Sequence, residues 1–198
     1  MKSRSLKHAA LLALLLGLPG AAHSQAINCA KVKPGGVEFL LCQDEGLMAQ
    51  DKKMTEVLLA AEPIAAKERP PMLKAEQRGW SKMRDECLKA DDKKTCLHSS
   101  YKLRIAELQA SYRLLLTTAT VSYRCGNNPG IIFTAVTFAT DPPTLAAEFD
   151  ESTAVLYLKP GGAGTHYENS QVNFVEADGI AKIVWGPGNP VMSCKREP

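Results

Sequence analysis

The sequence predicts an α+β protein: an N-terminal disulfide-stapled helical domain followed by a small antiparallel β-barrel of about eight strands. Three observations lead there. The composition changes near Leu116-Thr117-Thr118, from Lys, Glu, Ala, Leu and Met before it to Thr, Val, Ile, Phe, Gly and Pro after it. The second part is a series of short apolar runs parted by Gly/Pro turns. All six cysteines lie beyond a leader-like N-terminus, an even count that reads as disulfides in an exported chain.

The first residues set the compartment. Lys2, Arg4 and Lys7 form a basic start, Leu11 to Leu18 a short apolar core, and Ala21 to Ala26 a run of small residues. This pattern is a secretory signal peptide over residues 1–24, too short and wrongly flanked for a membrane span. A periplasmic location follows. Ala26-Ile27-Asn28 before Cys29 is a poor lipoprotein box, so no membrane anchor is expected.

A helical domain is expected over 27–114. Leu47, Met54, Leu58 and Ala61 recur at helical spacing from Gly46 to Lys67, with Pro63 kinking or ending that helix. Pro70-Pro71 opens a second helix whose Leu73, Trp80, Met83 and Cys87 share a face. Asp91-Asp92 opens a third, where acidic groups suit the positive end of the helix dipole. Leu97, Tyr101, Ile105, Leu108 and Tyr112 make its apolar stripe. His98 falls on the polar side and reads as solvated.

The β domain is expected over 119–198. Candidate strands are 119–125, 131–138, 144–150, 153–158, 165–168, 171–176, 180–185 and 190–195. Turn signals such as Asp141-Pro142-Pro143, Gly161-Gly162 and Asp178-Gly179 separate them. Six cysteines allow fifteen pairings. Their spacing suggests local pairs Cys29–Cys42 and Cys87–Cys96 and a long pair Cys125–Cys194, tying the first strand to the last.

Charge limits the partners. Without the three basic residues of the leader the chain carries 21 basic and 21 acidic residues. From 119 onward it carries 5 basic and 8 acidic, a balance that favours a basic partner. No basic stripe with interleaved aromatics points to nucleic acid. No HExxH, GxSxG, P-loop or GxGxxG is present, and no CxxC suggests a metal. His166, in a Gly-rich loop, has no nucleophile beside it in the sequence. The chain therefore reads as a non-enzyme without cofactor.

Two family resemblances sharpen this. Cys29 and Cys42, the run Leu73-Lys74-Ala75-Glu76-Gln77-Arg78-Gly79-Trp80, Arg84-Asp85-Glu86-Cys87, and Cys96-Leu97 with Tyr101 and Arg104-Ile105 resemble the LprI-type lysozyme inhibitor module, over about 27–112. Tyr123-Arg124-Cys125, Asp141-Pro142-Pro143, Gly164-Thr165-His166-Tyr167, Phe174 and Ser193-Cys194-Lys195 resemble the MliC/PliC-type C-type lysozyme inhibitor domain, over about 119–198. The second resemblance implies a barrel whose loops fill a lysozyme cleft, through a serine in one loop and a lysine in a neighbouring hairpin that meet catalytic carboxyls. It implies contact residues Ala163, Gly164, Thr165, His166 and Tyr167 in the loop, and Ala177, Asp178 and Gly179 in the hairpin. Here Ala163 stands at the serine position, and the lysine position falls on Ala177 or, with one inserted residue, on Asp178. Thr165 and His166 offer substitute donors. Two functions stay open: an inhibitor of c-type lysozyme or another peptidoglycan hydrolase, and an interaction or scaffold protein that keeps the inhibitor fold.

Overall fold

The computed structural model describes residues 27–68, 72–126, 130–162 and 164–198. The leader, Pro70-Pro71 and Ala163 lie outside the described residues.

Four α-helices come first: α1 (Val37–Cys42), α2 (Glu45–Glu68), α3 (Met72–Asp85) and α4 (Lys93–Ser111). A 3-10 turn at Cys29–Lys31 precedes α1 and another at Glu86–Lys89 follows α3. Asp44 starts α2 by accepting a hydrogen bond from the Leu47 N–H, and Asp92 starts α4 by accepting from the Thr95 N–H. Cys29–Cys42 pins the first turn to α1, and Cys87–Cys96 pins the end of α3 to the start of α4. Leu41, Leu47, Ala61, Leu97, Tyr101 and Leu108 are wholly buried in the helical core.

Pro63 does not end α2, which runs five residues further. Pro63 and Leu59, whose carbonyl loses its helical partner there, both lie on the exposed face. Ala61 and Ala65 continue the buried stripe past it. Met83 is not on the buried face with Leu73 and Trp80; it is 68% exposed. Cys87 is buried in the same core as Leu73 and Trp80, on the 3-10 turn that follows α3. His98 is half-buried, with Nδ1 2.9 Å from Gln50 Oε1 and Nε2 3.4 Å from Asp44.

Eight strands follow: β1 (Thr117–Cys125), β2 (Ile132–Phe138), β3 (Thr144–Phe149), β4 (Ser152–Leu158), β5 (Thr165–Glu168), β6 (Val172–Ala177), β7 (Ile180–Trp185) and β8 (Met192–Arg196). They form a closed antiparallel barrel in simple sequence order. The seam is short. β1 pairs with β8 only through Tyr123–Arg196, Arg124–Lys195 and Cys125–Cys194, and the last of these is the disulfide. Tyr123, Phe133, Leu145, Leu156, Phe174 and Ile183 fill the inside, with Phe133 stacked on Phe174 at 5.6 Å.

Helix α4 lies against the outside of the barrel. Ala110 packs on the outward-facing Val136 and Phe138, with Ala146 and Val155 beside them. The Tyr157 hydroxyl donates to the Leu103 carbonyl, Lys102 meets Asp141 at 2.8 Å, and Arg113 pairs with Glu148. Strands β2 to β4 are thus covered on both faces where α4 crosses them.

Candidate functional site

One end of the barrel gathers the residues that the sequence pattern singles out. The loop from Lys159 to Gly164 joins β4 to β5, and Asp178-Gly179 joins β6 to β7. Ala177 pairs with Ile180 across a two-residue turn whose residues have φ of 52° and 78°. Positive φ at both positions makes this a type I′ hairpin, for which Asp-Gly is a preferred pair. The Gly179 N–H donates to Glu176 Oε1 at 2.9 Å, and its carbonyl accepts from the Arg196 N–H at 2.8 Å. The turn is fixed to the strand before it and to the last strand.

Gly164 brings the loop onto that turn. Its φ is 87°, and a Cβ there would stand 2.2 Å from the Glu176 carbonyl oxygen and 3.1 Å from the Ala177 Cβ. Only glycine permits this approach. The loop and the hairpin, separate in sequence, therefore form one continuous surface.

The side chains on it differ in availability. Thr165 is exposed at the barrel mouth, opposite Glu176. Ala177 and Asp178 are exposed at the hairpin tip. His166 points outward and is half-buried, with Nε2 2.9 Å from Asn173 Nδ2 and 3.2 Å from Glu168 Oε2. The hydrogen bond from Lys159 to Glu168, at 3.1 Å, is the main cause holding the Glu168 carboxyl below its ordinary range. Tyr167 turns the other way into the barrel core at 8% exposure, and burial pushes its phenol up. It supports the surface from below. Ala163 lies outside the described residues. Lys182 sits within β7 opposite Val175, away from the tip.

Lys195 and Arg196 reach this end on β8, with Lys195 directly opposite Ile180. They were not singled out as contact residues, although the Cys194-Lys195 step beside the seam cysteine was the signal for them. Ile180 is itself 47% exposed. The surface thus offers a hydroxyl, carboxylates, two cations and an apolar contact. Among the described residues the partners of His166 are an amide and a carboxylate, neither of them a nucleophile awaiting a base.

The helical motif residues serve a different purpose. The Tyr101 hydroxyl donates to Asp51 Oδ1 at 2.8 Å and accepts from Arg84 Nη1 at 3.0 Å. Arg84 lies over the Trp80 ring at 5.3 Å, and Trp80 meets Tyr101 edge-on at 5.1 Å. Gln77 accepts from Arg104 Nε at 3.2 Å. Gln77, Trp80 and Arg84 therefore lock α2, α3 and α4 together. Burial drives the Tyr101 phenol strongly up despite the neighbouring arginine.

Comparison with known proteins gives one kind of relative. The chain is 24% identical over 159 residues to the Lipoprotein LprI of Mycobacterium bovis, and equally to the Lipoprotein LprI of two strains of Mycobacterium tuberculosis. No protein-family model matches the chain, and no solved structure does. The similarity covers 80% of this chain and 79% of the relative, more than the helical half alone could supply, so it runs on into the barrel.

Proposed function

We propose that this protein is an exported inhibitor of c-type lysozyme that occludes the catalytic cleft with the Gly164–Thr165 loop and the Ala177–Gly179 hairpin. The observation that carries the reading is the contact of Gly164 with Glu176 and Ala177, which makes one preorganised projection from two segments. Its position at the end of a closed eight-stranded barrel, in a chain similar to Lipoprotein LprI, supports it. Thr165 supplies the hydroxyl that Ala163 lacks, and Lys195 supplies the cation that the hairpin tip lacks. The helical domain, residues 27–114, holds the barrel domain, 119–198, from its outer face. The relative is named a lipoprotein. In this chain the Cys29 sulfur is bonded to Cys42, which leaves no thiol there for a lipid thioether and favours a soluble periplasmic protein.

The test is turnover of a c-type lysozyme on a cell-wall substrate with the purified mature protein. Inhibition at micromolar concentration is expected. Thr165→Ala and Lys195→Ala each weaken it about tenfold, and Ala163→Ser with Asp178→Lys strengthens it by a similar factor. Undiminished turnover together with no complex by gel filtration sinks the proposal.

A second reading has its own observation. Asp178 is exposed at the hairpin tip, where an acidic group repels the carboxyls of a lysozyme cleft. A scaffold protein with the inhibitor fold predicts capture of a partner other than a peptidoglycan hydrolase from periplasm.

A further inference from the structure

A groove of about 840 Å³ opens where the end of α4 crosses β3 and β4. Ligand sites commonly measure roughly 300–1,000 Å³ and favour junctions of this kind. Its far wall includes Ser152, Gln171 and Gly186, at the barrel end opposite the Gly164 loop. Nothing in the proposed inhibitory surface uses it.

The charges of the groove decide what fits. Three carboxylates line it: Glu76, Glu107 and Glu148. Each faces a guanidinium. Glu107 meets Arg104 Nη1 at 2.9 Å, Glu76 lies 3.9 Å from Arg104 Nη2, and Glu148 pairs with Arg113. The Arg104 side chain is only 5% exposed, and its Nη2 donates no hydrogen bond to any described residue. A cationic ligand would compete with these arginines for the carboxylates. An anionic ligand would meet three negative groups against one exposed cation, Arg113. A neutral ligand rich in hydroxyls avoids both costs, because a carboxylate oriented by arginine keeps lone pairs for further donors.

The remaining lining agrees. The outward-facing Tyr157 borders the groove with Ala110 and Val155, and Trp185 and Val172 line it from the strands β6 and β7, where the Trp185 ring packs against Phe149 and Phe133. Aromatic faces carry partial negative charge and attract the polarised C–H faces of a sugar ring. The exposed Gln171 adds an amide that both donates and accepts. From this combination we infer that the groove between α4 and the barrel binds a neutral oligosaccharide.

Titration of the isotope-labelled mature protein by NMR tests the assignment. The probes are triacetylchitotriose and maltotriose, with trilysine as a cationic competitor. Binding at about 1 mM or tighter is expected for at least one saccharide. The shifted signals should include the Trp185 indole and the amides of Gln171 and Ala110, and should spare Gly164 and Asp178. Ser111→Trp fills the groove from the exposed last residue of α4 and should weaken binding at least tenfold without changing lysozyme turnover. Should that variant not fold, Gln171→Ala, on the surface, should still weaken binding several-fold. No saccharide shift at about 10 mM, binding that survives both substitutions, or preference for trilysine each overturns the inference.

Discussion

In the helical half two disulfides close segments of 13 and 9 residues, whereas in the barrel one disulfide spans 69. The helical cross-links join neighbours in sequence that already share a turn. Long-range order there comes instead from side chains: Asp51, Tyr101 and Arg84 meet from three helices, with Trp80 against them. The barrel is built the other way. Every strand pairs with its neighbour in sequence except at the seam, where three residue pairs and one disulfide close the circle. Arg124 and Glu197 add an ion pair beside it. Local segments thus need a polar–aromatic lock at a distance, and a chain of hairpins needs only its last pairing secured.

The largest test removes the seam bond. Loop-closure entropy assigns about 4 kcal/mol to a 69-residue link and about 3 kcal/mol to each short one. Cys125→Ser with Cys194→Ser should therefore lower barrel stability in urea by about 4 kcal/mol. Hydrogen exchange should rise first in β8 and the last residues of β1, Tyr123 to Cys125, while the helices keep their protection. Equal loss of protection in both halves would break the contrast.

The next test removes one oxygen from the helical lock. Tyr101→Phe keeps the ring against Trp80 but leaves Asp51 and Arg84 without their shared partner. A loss of about 1–3 kcal/mol is expected by urea unfolding, felt in α2 to α4 and not in β5 to β7. No change would mean that packing alone holds the helices.

The smallest effect comes from acid. Hydrogen bonds from the Leu47 and Thr95 amides hold the Asp44 and Asp92 carboxyls below their ordinary 3.8. A folded pKa below the unfolded one gives stability that is present above the unfolded value and lost as pH falls through the folded value. The helical half should weaken as pH falls from about 5 to below 3.8, by circular dichroism at 222 nm. Asp92→Ala should remove the Asp92 part of that slope and leave the Asp44 part. Glu168 on β5, held down by Lys159, contributes a barrel component of the same sign.

The sequence made the strands legible to within two residues, because turn residues such as Asp178-Gly179 and the alternation Val172-Asn173-Phe174 act locally. The disulfide partners were legible from spacing for the same reason, since each pair brackets a predicted unit. The path of α2 past Pro63 was not, because the cost of proline depends on which face loses the bond. Met83 misled because it stands within α3 about 60° round from Trp80, at the margin of the stripe, and turns to solvent there. At the candidate site the residues were legible but not their roles. Tyr167 and His166 are adjacent in sequence, and only the strand register sends one inward and the other out. The contact of α4 with the barrel left a trace that was passed over: β2 reads Ile132-Phe133-Thr134-Ala135-Val136-Thr137-Phe138, apolar on both faces, whereas β6 alternates.

The cover that α4 lays over Val136 and Phe138 also fixes an order of events. A chain is synthesised from its N-terminus, so the helices exist before the strands that need them as a lid. Were the order reversed, β2 to β4 would emerge with an oily stripe facing water and other nascent chains. A recombinant barrel started at Thr117 would carry that stripe bare and is expected to self-associate, and the full chain is expected to stay dispersed. In the folded chain the N-terminal half keeps that stripe from water.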